Sequence, residues 1–320
     1  MTSAKEIKKR IKSISNTKKI TKAMEMVSAA KMRKAVDSVL RTRTYANLSW
    51  TTVLNISQAL NAGKNLHPLL SKRDDVKKVA IVLITSNRGL CGGFNSAIIN
   101  KALKSVEKHN HGIDTDFVVV GTKGLSVHSR FKKNIVAEFP KLDVNSEVSE
   151  VAPIANLIVN DFLEGKYDRI ILAYTDFVNA AKQVPRMRQI LPIDIEAEDE
   201  YLGAVGKSEK LGVDKELVKE KEEKYLTSEK GKFIFKYEPS PEEVLDQLLP
   251  RLIEVQLFQA LLESNASEHS ARMAAMRQAS DAADDLVNEL TLYYNKARQA
   301  SITAEIAEIS AGVVSLSKSN

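Results

Sequence analysis

Cysteine is almost absent from this 320-residue sequence, with Cys91 as its single representative. One thiol excludes an internal disulfide and leaves no Cys cluster for zinc or iron–sulfur chemistry. Long apolar runs are also lacking. The longest, "VAIVLI" and "IILAY", are strand-sized and fall far short of the ~20 residues that a bilayer crossing needs. The opening stretch "MTSAKEIKKRIKSI" has no apolar core of the kind a secretory signal carries. Histidine is sparse too, at five residues. His109 and His111 in "KHNHG" lie two apart, a spacing that points opposite ways on a strand and does not align on a helix, so a polar turn is expected there. These absences predict a cytosolic chain without metal or cofactor, and 43% hydrophobic residues are enough for a buried core.

Proline and glycine are missing from both ends. All eight prolines lie between Pro68 and Pro250, and twelve of the thirteen glycines lie between Gly63 and Gly231. Residues 1–62 and 251–311 therefore carry no punctuation, and their Ala, Lys, Glu, Leu, Met and Gln favour long helices. Sixty-one helical residues span roughly 90 Å at the α-helical rise, so part of such a rod must project from a body of this size. The spacing of Ile302, Ile306, Ile309, Val313 and Leu316, and of Leu286, Leu290, Tyr293, Ala297, Ala300 and Ala304, predicts a coiled-coil seam. Ile7, Ile11, Ile14, Thr21, Met24 and Val27 continue the pattern at the other terminus. The expected arrangement is an antiparallel coiled coil made by the two ends of one chain, with small Ala297, Ala300 and Ala304 allowing close approach.

Between the rods the sequence alternates. "VAIVLITS" (79–86), "DFVVVG", "NIVAEF", "RIILAYTDF" and "RQILPID" read as strands, and "FNSAIINKALKSVEKHN", "TKGLSVHSRF" and "VAPIANLIVNDFLEG" as helices. This alternation predicts a mainly parallel α/β sheet. Residues after Asp194 turn highly charged, which marks an insertion at about 196–231, and "KFIFKYEP" gives a last strand. The expected division is 1–62, a helix; 63–240, an α/β domain with that insertion; and 241–320, a helix.

"SNRGLCGGFN" (86–95) joins a strand to a helix, as phosphate-binding turns do. Its Gly89, Gly92 and Gly93 do not meet the G-x-G-x-x-G dinucleotide pattern, and no phosphate-loop lysine follows. A tight turn that starts a helix close to the sheet accounts for these glycines. Charge points to the first helix instead. Residues 1–34 hold eleven Lys or Arg against two acids, whereas residues 251–320 hold six against nine. A basic rod of this kind could grip DNA or an acidic membrane, or meet acidic loops of a protein partner. The absence of aromatics before Tyr45 weakens the single-strand and membrane readings.

Three stretches carry a resemblance: "IKKRIKSISNTKKITKAMEMVSAAKMRKA" (7–35), "SNRGLCGGFN" (86–95) and "SEHSARMAAMRQASDAADDLVNELTLYYNKARQASITAEIAEISAG" (267–312). Together they resemble the gamma subunit of F-type ATP synthases, in order along nearly the whole chain except about thirty residues after Asp194. The resemblance implies a non-catalytic rotor. Its terminal helices would form an antiparallel coiled coil inside a hexamer of alpha and beta subunits. Its Rossmann-like α/β domain would sit with the epsilon subunit on the c-ring, reaching the membrane only through that ring and binding no nucleic acid. The implied rotor–stator contacts are Met24, Arg272, Arg298, Gln299, Thr303 and Glu305, and the implied c-ring or epsilon contacts are Tyr237 and Glu238. The segment after Asp194 falls where photosynthetic relatives carry a regulatory cysteine pair, and here it has no cysteine. Because the resemblance begins almost at Met1, no presequence is expected, and the expected setting is the cytoplasmic side of a bacterial plasma membrane.

Overall fold

The computed structural model describes residues 4–59, 67–71, 73, 75–108, 113–143, 147–193 and 238–318. The insertion after Asp194, "KFIFKY", Tyr237, His109 and His111 lie outside the described residues. The described elements are α1 (Ala4–Ala59), β1 (Lys78–Ile84), α2 (Phe94–Lys108), β2 (Asp114–Val120), α3 (Ser126–Phe131), β3 (Asn134–Phe139), α4 (Ala152–Leu163), β4 (Arg169–Asn179), β5 (Lys182–Leu191) and α5 (Pro241–Lys318). By contacts the chain divides into Ala29–Arg272 and a second unit made of Met1–Ser28 and Met273–Asn320. Both divisions fall inside the long helices α1 and α5.

The first unit is an α/β fold. Its five-stranded sheet has the order β3-β2-β1-β4-β5; the first four strands are parallel and β5 is antiparallel to β4. The central strand β1 explains its unbroken apolar run, because helices cover both faces of a parallel sheet. Ala80, Val82 and Ile84 face a core with α4 and the Leu245–Leu262 stretch of α5. Val79, Ile81 and Leu83 face α2 through Ile98, Ala102 and Leu103.

The fifth strand differs from the sequence expectation. "RQILPID" predicts a strand from Arg188, yet β5 begins at Lys182 and ends at Leu191. Pro185 and two arginines disguise its first half. An edge strand tolerates a proline because one side of its ladder is unpaired. The hairpin is pinned by Asn179, whose Oδ1 accepts from the amides of Ala181 (2.9 Å) and Lys182 (2.8 Å).

In the second unit the two helices run antiparallel. Thr21 Oγ1 lies 2.7 Å from Ser280 Oγ, and one turn away Lys18 Nζ meets Asp284 Oδ1 at 2.5 Å. The inward residues of α1 include Ile7, Ile11, Ile14, Lys18, Thr21, Met24, Glu25 and Ser28, and those of α5 include Met276, Ser280, Ala283, Val287, Leu290, Tyr294 and Ala297. This corrects the expected seam. Leu286 (47% exposed), Tyr293 (56%) and Val27 (57%) turn outward, as do Ala300 and Ala304. Small and polar side chains occupy the inward positions between them, so the apolar pattern alone places the stripe one residue off.

Candidate functional site

Every residue of α5 from Arg298 to Ser310 is exposed. The register explains why: Thr21 is opposite Ser280 and Lys18 opposite Asp284, so the described start of α1 is reached near Ala297. The helix then continues to Lys318. Twenty-one residues beyond Ala297 extend it by about 30 Å. Arg298, Gln299, Thr303 and Glu305 all lie on this stretch and are exposed. Their side chains make only local contacts: Thr303 Oγ1 donates to the Gln299 carbonyl (2.9 Å), and Ser301 Oγ donates to Glu305 Oε1 (3.3 Å). On the same stretch Ile302, Ile306 and Ile309 are 47%, 59% and 68% exposed. A row of exposed isoleucines on a helix marks a surface to be covered by another molecule. Met24 is half-buried on α1, and Glu238 is exposed just before α5.

Arg272 sits elsewhere and does something different. It is 9% exposed, within the α/β unit. Its Nη2 donates to Glu268 Oε1 (2.8 Å), one helical turn back, and to the carbonyls of Gly89 (3.2 Å) and Arg88 (3.3 Å). Glu268 also accepts from Lys141 Nζ at 2.6 Å, with the two side chains 9% and 2% exposed. Burial alone would raise the Glu268 carboxyl, but Lys141 and Arg272 outweigh it and hold the group below its ordinary range. Neighbouring His269 is pushed down to about 4 by burial and by the charges of Arg272 and Lys141, so it stays neutral at physiological pH.

The turn "SNRGLCGGFN" is thus packed against a helix of its own chain. Leu90 (φ 63°) and Gly92 (φ 55°) adopt left-handed conformations, and Asn95 Oδ1 accepts from the Ser86 amide at 2.9 Å. What it presents to Arg272 are carbonyl oxygens, which attract a cation; a phosphate cradle presents amides. The chemistry of this turn is that of a socket for a guanidinium. Among the described residues, no group of three or more His, Cys, Asp or Glu is placed to hold a metal. Nor is any described helix long and apolar enough to cross a membrane.

Sequence reasoning missed Lys141 and Glu268. Glu268 was findable, since a Glu four residues before an Arg on one helix face is a pairing pattern. Lys141 carries no such signal, because only the sheet topology brings it near.

A helix that presents unpaired isoleucines beyond its in-chain partner belongs to a subunit of a larger assembly, completed by other chains. A family profile described as ATP synthase matches residues 3–316. The ATP synthase gamma chain of Herpetosiphon aurantiacus is 41% identical over 99% of this chain and 100% of its own length; that of Nitrosospira multiformis is 35% identical over 99% and 100%. Among solved structures, a chain of the Tetrahymena thermophila mitochondrial ATP synthase central stalk and c-ring matches with a TM-score of 0.58 and 26% identity, covering 82% of this chain and 99% of that one. A chain of the Euglena gracilis mitochondrial ATP synthase shares the fold with a TM-score of 0.62, covering 98% and 94%. The chain belongs to the ATP synthase gamma-chain family.

Proposed function

We propose that this chain is the central shaft of an F-type ATP synthase and catalyses no reaction itself. The observation that carries the reading is the fully exposed α5 stretch with Ile302, Ile306 and Ile309 outward, which needs a sleeve. In this reading α1 and the stretch of α5 up to about Ala297 form an antiparallel coiled coil, and the exposed end of α5 runs on beyond it, inside a hexamer of alpha and beta subunits. The α/β domain meets the epsilon subunit and the c-ring, with Tyr237 and Glu238 as contacts. The membrane is reached only through that ring, on the cytoplasmic side of a bacterial plasma membrane.

An asymmetric shaft touches three chemically identical beta subunits differently, so each angle biases each site by differential contact energy. Contacts that form and break on every turn must be individually weak, about 0–1 kcal/mol for exposed polar pairs. Arg298, Gln299, Thr303, Glu305 and Met24 suit that requirement. Arg272 has its hydrogen-bonding capacity engaged inside the chain, so a stator role for it would act through the turn it holds. The segment at 196–231 is proposed as an element restraining ATPase activity without a thiol switch, tested by deleting residues 197–230 and comparing hydrolysis with and without a proton gradient.

Co-expression with alpha and beta subunits from a gamma-chain relative tests the whole reading. The expected result is a stable complex whose ATPase activity requires this chain and drives its rotation. A chain that stays separate from the hexamer would overturn it.

A further inference from the structure

The charged cluster around Glu268 occupies one stripe of α5 and grips two separate loops. Glu268 and Arg272 are four residues apart and share a face. Through Arg272 the stripe holds the β1–α2 turn by its Arg88 and Gly89 carbonyls. Through Glu268 it holds Lys141, in the segment after β3. The two loops are also tied to each other: Asn87 Nδ2 donates to the Lys141 carbonyl (2.9 Å), and the Lys141 amide donates to Asn87 Oδ1 (3.1 Å). Arg272 is the last residue of the α/β unit, and α5 continues without interruption into the next.

Further back in this unit α5 lies on the sheet through Leu245, Leu249, Leu252, Ile253, Leu257 and Leu261, and beside the charged stripe Asn265, Ser267 and Ser270 add neutral hydrogen bonds to the carbonyls of Leu142, Thr175 and Ala180. The apolar driving force is non-directional, and it is interlocking side chains that resist roll of the helix there. A buried, hydrogen-bonded charge pair is directional, and a guanidinium fork fixes geometry at two acceptors. Replacing such a pair by apolar groups is often neutral for stability, and specificity of arrangement is one attested use of buried polar groups.

We propose that Lys141, Glu268 and Arg272 form an angular key that locks the rotational phase of α5 against the α/β domain, so that torque applied to the domain reaches the helix without roll. This rests on the shaft reading above, and the three side chains act as positioning residues for rotary coupling. The substrate of the device is torque, and its failure mode is compliance.

The test uses the full chain assembled with its hexamer and a single-molecule probe on the α/β domain. In Lys141→Met with Glu268→Gln, the glutamine still accepts from Arg272 and the methionine fills the lysine volume, but the buried guanidinium loses its counter-charge, so the unfolding temperature is expected to fall while the chain still folds. Torsional stiffness, read from angular fluctuation at the ATP-waiting dwell, is expected to fall below that of the wild-type complex. Unchanged stiffness in this variant would overturn the key while wild-type rotation kept the shaft reading intact; absence of rotation in the wild-type complex would instead overturn the shaft reading. If the double variant does not fold, Glu268→Asp withdraws the carboxylate by one methylene while keeping its charge, and the same loss of stiffness is expected.

Discussion

Nη2 of Arg272 lies 3.2 Å from the carbonyl oxygen of Gly89 and 2.8 Å from Oε1 of Glu268. One guanidinium therefore joins a glycine-rich turn to a helix more than 180 residues away in sequence. Arg272→Ala leaves Glu268 buried with one cation fewer and two carbonyls without their donor. Breaking a buried charged network by removing one member costs about 3–5 kcal/mol. Chemical denaturation of the full chain is expected to show a loss in that range, whereas a loss below 1 kcal/mol, about the value of an exposed pair, would refute the socket.

The backbone beneath that socket is tight. Gly121 has φ 96°, and a Cβ there would sit 2.4 Å from the Thr85 carbonyl oxygen at the end of β1. Gly121→Ala adds both left-handed strain and a collision with backbone, so a destabilisation of about 2 kcal/mol or more is expected. Thermal unfolding of the full chain checks this. Gly165 offers the control: its φ of 77° carries the strain, but its Cβ would meet nothing within 4 Å, so Gly165→Ala should cost less.

Much of this architecture was legible in the sequence. Apolar runs of four to six residues flanked by helical periods, "VAIVLI", "FVVV" and "IILAY", located β1, β2 and β4, because burial on both faces favours apolar side chains. β5 was legible only in its last residues, since its exposed edge lets Pro185, Arg186 and Arg188 stand where the sheet interior would demand apolar side chains. The helix seam was partly hidden for a related reason. Its inward positions include Thr21, Ser28 and Ser280, and two hydroxyls that bond each other satisfy burial without signalling it. Exposure of Arg298, Gln299, Thr303 and Glu305 follows from where the two helices stop overlapping, a register that no local pattern encodes. The Lys141–Glu268 pair joins segments 127 residues apart, and only the folded topology brings them together.

The Thr21–Ser280 pair gives a separate test in the helical unit. Thr21 Oγ1 donates to the Lys18 carbonyl at 3.0 Å, so its proton is committed and Ser280 is the donor between the two hydroxyls. Thr21→Val removes the acceptor and leaves a buried hydroxyl unsatisfied, at a cost of about 1–3 kcal/mol. Replacing both, as Thr21→Val with Ser280→Ala, is expected to recover much of that loss. A double-mutant cycle on unfolding free energy should therefore give a favourable coupling, and strict additivity would show that the two hydroxyls do not bond.

Glu263 predicts a pH dependence. It is 3% exposed on the face of α5 turned to the sheet, near Tyr174, Asp176, Arg186 and Arg188 of β4 and β5, and Gln259 Nε2 donates to it at 3.2 Å. Burial first, and then the charge of Asp176, push its carboxyl up to about 8. The folded state thus holds this proton more tightly than the unfolded chain, where the group titrates near 4.5. Its stabilising contribution is complete below pH 4.5 and is lost as pH rises toward 8, with a slope of up to about 1.4 kcal/mol per pH unit. Glu263→Gln is expected to remove that slope. Denaturation of both chains between pH 5.5 and 9 measures the difference, and parallel curves would show that Glu263 is ionised throughout.

The exposed stretch of α5 separates stability from function. Gln299 and Thr303 have solvent on their outer faces, so Gln299→Ala and Thr303→Ala should change the unfolding free energy of the chain by no more than about 0.5 kcal/mol. In the assembled complex each would remove a contact worth about 0–1 kcal/mol, which corresponds to at most about a fivefold fall in ATPase turnover. Ile306→Ser acts on the apolar side of the same helix and should weaken seating in the sleeve, read as a lower yield of assembled complex at unchanged chain stability. A drop in stability without any effect on assembly or turnover would mean that these side chains serve the chain alone. The reverse pattern, function lost at constant stability, is the one expected of a surface that waits for its partners.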